Sequence, residues 1–195
     1  DALAASSKNL ARGTLCWTPP AQEDYSVSVE SNLSGNGQTF AAAGEVAVNL
    51  ALVNKNSGGD WDTTSGYFTA PEAGDYLFNT SLLIEATVPQ NTIVGVIFQL
   101  RDYDTPSDPP LAKGRANVGT RTNATGTLVM TTQAHINRVV TLTKGQKVQV
   151  TVTPQSANIA NVNILGGPET MLSISRVGSH NPSTSNLKLW NPPSS

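Results

Sequence analysis

The chain has 195 residues, 12 of them basic and 14 acidic, with a formal net charge of -2 and a charged fraction of only 13%. So low a charge argues against a nucleic-acid surface and against a polybasic membrane contact, both of which need clustered Lys and Arg. The single cysteine, Cys16, excludes an intrachain disulfide, and no apolar run reaches the roughly 18–20 residues that span a bilayer.

Residues 1–22 read as an N-terminal arm, rich in Ala and Ser, ending in Leu15-Cys16-Trp17-Thr18-Pro19-Pro20, with Trp17 as its apolar anchor. Beyond it, apolar side chains recur at every second position, the period of a half-buried strand, and not at the helical period. Tyr25, Val27 and Val29 alternate with Ser26, Ser28 and Glu30. Val46, Val48, Leu50 and Leu52 continue the pattern on one face of a second strand, and Tyr76, Phe78, Thr80, Leu82 and Ile84 on a third. Ile93–Leu100 is denser in apolar residues and suits a strand covered on both faces. Thr127–Thr131 is a shorter segment. Val148, Val150 and Val152 alternate with Gln149, Thr151 and Thr153, and Met171–Ile174 closes the series. Turn clusters separate these runs, among them Gly35-Asn36-Gly37, Pro71-Glu72-Ala73-Gly74, Asp108-Pro109-Pro110 and Lys144-Gly145. Residues 179–195 form a polar C-terminal tail with Trp190 as its anchor. Several short strands so punctuated predict an all-β sandwich or barrel, one domain over residues 23–178.

The stretch from Val53 to Phe78 is the most specific. It runs Val53-Asn54-Lys55-Asn56, Asp60-Trp61-Asp62, then Gly66-Tyr67-Phe68-Thr69-Ala70-Pro71 and Gly74-Asp75-Tyr76-Leu77-Phe78. Gly66 permits a tight entry into a strand, Pro71 and Gly74 suit a hairpin-type corner, and Tyr76 and Phe78 point to one face. This resembles the signature of C1q-like domains, in which Gly-x-Phe-Thr-x-Pro leads to Gly-x-Tyr-x-Phe. Leu142-Thr143-Lys144-Gly145-Gln146-Lys147-Val148 is similar to that family's Leu-x-x-Gly-Asp-x-Val hairpin, with Gln146 at the Asp position. The resemblance covers Tyr25 to Val177 and implies an antiparallel C1q/TNF-like jelly-roll sandwich of about ten strands that packs as a homotrimer. In such trimers apolar and aromatic side chains on one sheet meet around a three-fold axis, and Tyr67, Phe68, Leu77, Leu83, Ile93 and Ile97 are the interface candidates. The C-terminal strand lacks the family's Gly before its Leu pair, and residues 1–22 hold no collagen-like repeat. Both departures point to a bacterial, viral or environmental branch rather than animal complement.

Catalytic signatures are missing. There is no Gly-x-Ser-x-Gly elbow, and the two histidines, His135 and His180, lie far apart in sequence. No Cys/His set suits zinc, and no Gly-rich loop precedes a Lys and a Ser or Thr to hold phosphate. Calcium is the one cofactor left open, on Asp102, Asp104 and Asp108, hard oxygen ligands clustered in one loop. Trp61, flanked by Asp60 and Asp62, reads as a packing residue at the base of its loop or, alternatively, as a stacking residue for a glycan. Sequons stand at Asn32, Asn79 and Asn123.

These readings describe a non-enzymatic structural or assembly subunit, a trimeric virion-surface, decoration or fibre-type protein or an extracellular filament subunit. Its arms would dock on neighbouring subunits through Trp17 and Trp190. The alternative is a secreted trimeric recognition module that binds a glycan or a cell-surface protein receptor through its apical loops.

Overall fold

The computed structural model describes residues 26–31, 37–40, 44–58, 60–89, 93–119, 127–155 and 161–177. All of them belong to the unit Asp24–Ser179. They form thirteen strands in chain order. The first six are β1 (Ser26–Ser31), β2 (Gln38–Phe40), β3 (Val46–Ala47), β4 (Leu52–Asn56), β5 (Trp61–Asp62) and β6 (Tyr67–Thr69). The rest are β7 (Gly74–Pro89), β8 (Ile93–Asp102), β9 (Ala112–Gly119), β10 (Thr127–Leu142), β11 (Lys147–Pro154), β12 (Asn161–Ile164) and β13 (Gly167–Val177). The count exceeds the ten or so expected because β2, β3 and β5 are pieces of two or three residues. Every ladder is antiparallel, in two sheets packed face to face.

The spine of the first sheet is the sixteen-residue β7. Its inward side chains Tyr76, Phe78, Thr80, Leu82, Ile84 and Ala86 are all fully buried, as the period of two requires. Along one edge β7 pairs with β10 over its whole length, from Gly74↔Leu142 to Pro89↔Thr127. Along the other it pairs with β13 and then with β12, and β1 and β4 extend the sheet beyond β13. Between β12 and β13 the chain bulges opposite Leu83. There the Leu165 N–H donates to the Leu83 carbonyl, and the buried Thr170 hydroxyl accepts from the Leu83 N–H at 3.1 Å, so a side chain completes the ladder.

The second sheet runs β5-β6-β11-β8-β9, with β3 also on β11. Val94, Val96, Phe98 and Leu100 of β8 meet the β7 face in the core, each worth about 1.5–3 kcal/mol on burial. The outer face of β8 is half covered as well: Gln99 is buried, and the Arg115 side chain lies over Gly95. Aromatic edges fix the middle of the core, where Phe68 lies 5.4 Å from Tyr76 and 6.0 Å from Phe78, both edge-on.

Three expectations change. Val46–Leu52 is not one strand. Val46 pairs with β11 in the second sheet and Leu52 with β1 in the first, so the chain crosses between sheets. Val48 and Leu50 are buried in the crossing, while Val46 and Leu52 are exposed. Thr127–Thr131 is the start of a strand that continues to Leu142. Its polar outer residues and the exposed Arg138 dilute the apolar period. Finally, the two expected hairpins are corners between sheets. Residues 70–73 lead from β6 in the second sheet to β7 in the first, and residues 143–146 lead from β10 back to β11. Turn residues set the local reversal, but the distant partners β7 and β8 decide which sheet each flanking strand joins.

The corners lie against each other. The Ala70 N–H donates to the Gln146 carbonyl at 2.9 Å, and the Gly145 N–H donates to the Ala70 carbonyl at 2.8 Å. Gly145 has φ +81° and Gly66, at the entry to β6, has φ +68°, left-handed conformations that an L side chain adopts at a cost. Gln146 accepts from the Thr143 N–H and donates to Asp102 at 2.7 Å. Tyr76 donates its hydroxyl to the Glu72 carbonyl at 2.8 Å, and Arg176 pairs with the Glu72 carboxylate at 2.6 Å.

Among the described residues two buried polar side-chain atoms lack a partner, one on Asp60 and one in the core. The Thr80 hydroxyl is fully buried with no hydrogen-bond partner. Replacing it with a methyl removes a desolvated donor at nearly constant shape, so Thr80→Val is expected to stabilise the fold by about 1 kcal/mol, read as a higher urea midpoint at unchanged slope.

Candidate functional site

Of the two readings of Trp61, packing residue or stacking platform, the structure has the first. Trp61 pairs with Phe68 across β5 and β6 and is only 4% exposed. Its indole N–H donates to the Leu50 carbonyl at 3.1 Å, and its backbone is bracketed by the Asn56 side-chain amide at 3.2 and 3.3 Å. Trp61 is therefore a core residue, with no free ring face for a glycan. Asp62 closes its own turn, accepting from the N–H groups of Thr64 at 2.8 Å and Ser65 at 3.1 Å. Those bonds hold its carboxyl below the usual range. Asp60 packs its carboxylate over Gly58, one oxygen buried without a partner, and burial pushes its pKa up. Neither carboxylate frames a stacking site around Trp61.

The calcium candidates also separate. Asp102 accepts from the N–H groups of Asp104 and Thr105 with one oxygen and from Gln146 with the other. Asp104 is paired with the Lys147 ammonium at 3.3 Å, and Asp108 contributes its backbone carbonyl to Arg101. Among the described residues no three His, Cys, Asp or Glu side chains converge on a common point for a metal. The Asp102 carboxylate organises a turn and that of Asp104 an ion pair, instead of sharing a cation shell.

The six interface candidates do not share one face. Phe68 is 2% exposed and belongs to the core. Tyr67 and Ile97 lie half-buried, and Ile93 exposed, on the outer side of the second sheet. Leu77 and Leu83 lie half-buried on the outer side of the first. There Leu77 pairs with Val139 of β10, which is 54% exposed. Trp17, Trp190, Cys16, Asn32, Asn123 and His180 lie outside the described residues.

Two side-chain clusters escape a linear reading because strand register alone assembles them. In the first, Glu45 grips Arg101 through two bonds of 2.8 and 2.9 Å and accepts from the Thr151 hydroxyl. In the second, the rings of Tyr67 and Tyr103 lie 4.6 Å apart at an angle of 45°. The Lys147 ammonium stands 5.2 Å from the Tyr67 ring centre and 5.7 Å from that of Tyr103. Its bond to Asp104 pushes the Lys147 pKa up. Partial burial and the neighbouring Asp62 carboxylate push the Tyr67 hydroxyl up. Tyr103 is held in place by its own N–H, which donates to the Lys147 carbonyl at 2.9 Å.

No protein-family model and no curated protein matches the sequence. Solved structures do match in shape. An Eiger TNF from S. frugiperda superposes with a TM-score of 0.55 at 9% identity, over 83% of this chain and 98% of that one. Murine APRIL at pH 8.5 gives 0.51 at 10% identity, over 79% and 99%. The chain therefore has a C1q/TNF-like jelly-roll fold.

The Glu45 cluster carries a pH dependence. Burial alone would raise the Glu45 pKa, but the hydrogen bonds from Arg101 and Thr151 and the guanidinium charge outweigh it and leave the carboxyl below its ordinary value. A lowered folded-state pKa contributes stability above the unfolded value and loses it as pH falls through the folded one. Glu45→Gln is accordingly expected to lower the urea midpoint at about pH 7 and to match the unsubstituted protein at about pH 3.

Proposed function

We propose that the chain is a non-enzymatic assembly subunit that acts as a homotrimer, a building block of a virion surface or of an extracellular filament in a bacterial, viral or environmental setting. The observation that carries this reading is the outer face of the first sheet. Across β10, β7, β13 and β1 the ladders align Val139-Leu77-Ser175-Ser26 and then Asn137-Asn79-Ser173-Ser28. Over these four strands neither row carries a charged side chain, the second reaching Lys55 only on β4 beside Ser28, and at the β10 edge an exposed valine lies beside a half-buried leucine. Without charges in these rows the costliest desolvation is avoided, and the apolar pair supplies a driving force. Three-fold closure needs this patch to meet a different one on the next copy, burying about 800 Å² on each partner.

The ionisable side chains fit a structural role. Asp62 and Asp102 shape turns, Glu45 holds Arg101, and Glu72 holds Arg176. The arms, residues 1–22 and 179–195, extend the reading from trimer to particle by docking on neighbouring subunits. A secreted recognition module is the second reading, favoured by the Tyr67–Tyr103 pair, in which Tyr103 is exposed.

In solution the protein is expected to have three times the 20.4 kDa chain mass by light scattering. The double variant Leu77→Asp, Val139→Asp is expected to be a monomer with an unchanged far-ultraviolet circular dichroism spectrum. A monomeric unsubstituted protein at micromolar concentration contradicts the reading. Removal of either arm should leave the trimer intact and stop its incorporation into a particle.

A further inference from the structure

We propose that Tyr67, Tyr103, Lys147 and Asp104 form a binding site for a neutral pyranose. Strand pairing places Tyr67 on β6 opposite Gln149 of β11, and Gln149 opposite Arg101, two residues before Tyr103. The two rings thus meet over the end of β11, although 36 positions separate them in sequence. Tyr103 remains 39% exposed although its backbone is pinned to Lys147. The Tyr67 ring and the Lys147 ammonium hold the Tyr103 ring just beyond β8, so its exposed part is ordered at little further entropic cost on binding.

The surrounding polar groups select the ligand class. The Lys147–Asp104 contact at 3.3 Å engages one carboxylate oxygen, and the two side chains keep 31% and 56% exposure. An ammonium has three donors and a carboxylate about four acceptor positions, so the pair retains capacity of both kinds beside the rings. Lys147 and Asp104 offset each other, and the Asp62 carboxylate beside Tyr67 leaves an acidic balance that disfavours an anionic sugar. Mixed donors and acceptors next to an aromatic surface match a ring that carries hydroxyl groups at its rim and C–H bonds on its face. Gluco- and galacto-configured pyranoses have that form. Neighbouring side chains are fixed as well, since Gln149 donates to the Ser65 carbonyl at 3.0 Å and Gln146 to Asp102 at 2.7 Å.

This proposal deepens the recognition reading and does not depend on trimer formation. The intact chain, titrated with lactose and separately with cellotetraose, is expected to give saturation-transfer signals from the ring C–H protons of at least one sugar. The Tyr103 and Lys147 amide resonances should shift along with them. Tyr103→Ala, a substitution at an exposed strand end, is expected to weaken binding by at least about tenfold. Tyr103→Phe should keep most of the affinity, because the ring face is retained. The monomeric Leu77→Asp, Val139→Asp variant should bind as the unsubstituted chain does. Absence of transfer with both sugars, or equal affinity for Tyr103→Ala and the unsubstituted chain, overturns the proposal. Shifts at Tyr103 with a proline-rich peptide and with neither sugar overturn it too, while leaving a recognition role in place.

Discussion

Two backbone hydrogen bonds, from Ala70 to Gln146 and from Gly145 to Ala70, hold together the corners through which the chain passes between its sheets. Each corner alone is a short reversal with little to bury. Bonded to each other, they fix the starts of β7 and β11 and the ends of β6 and β10, so four strands enter the sandwich at set positions. The core follows from that register: Phe68 arrives against Tyr76 and Phe78 because the corner between them has one geometry. The surface follows as well, since Lys147 leaves the second corner directly beside Tyr67 and Tyr103.

Much of this architecture can be read in the sequence. Alternating residues such as Tyr76, Phe78 and Leu82 write a strand with one buried face, and the Gly66–Phe78 and Leu142–Val148 motifs place it in a C1q/TNF-like jelly roll. Sequence patterns are weaker on partner choice. Pro71 to Gly74 specifies a reversal, yet whether the reversed strand pairs with its predecessor depends on β10, more than 50 residues away. For the same reason the Val46–Leu52 pattern conceals a crossing. Its alternation is the same whether the chain stays in one sheet or changes sheets under Val48 and Leu50.

The candidate site was less legible, for related reasons. Trp61 between two aspartates has the composition of a ligand loop, but its ring has more apolar area to bury than the loop can expose, and the Leu50 carbonyl supplies its N–H with a partner. The clustered Asp102, Asp104 and Asp108 resemble a cation site in one dimension. In three, two of them are consumed by a turn and by Lys147. The Tyr103 cluster has no linear signature because its partners come from β6 and β11. Among the described residues, Asp62, Asp102, Glu45 and Glu72 are engaged in turns and ion pairs, which leaves the proposed surfaces to rest mainly on aromatic and small polar side chains.

Amide hydrogen exchange at Ala70 and Gly145 tests most directly whether the paired corners organise the fold. If they do, both amides exchange only through global unfolding, with the same protection as the Phe78 amide in the centre of β7. Exchange of Ala70 and Gly145 at the rate of the neighbouring exposed Lys144, with Phe78 still protected, would contradict the account.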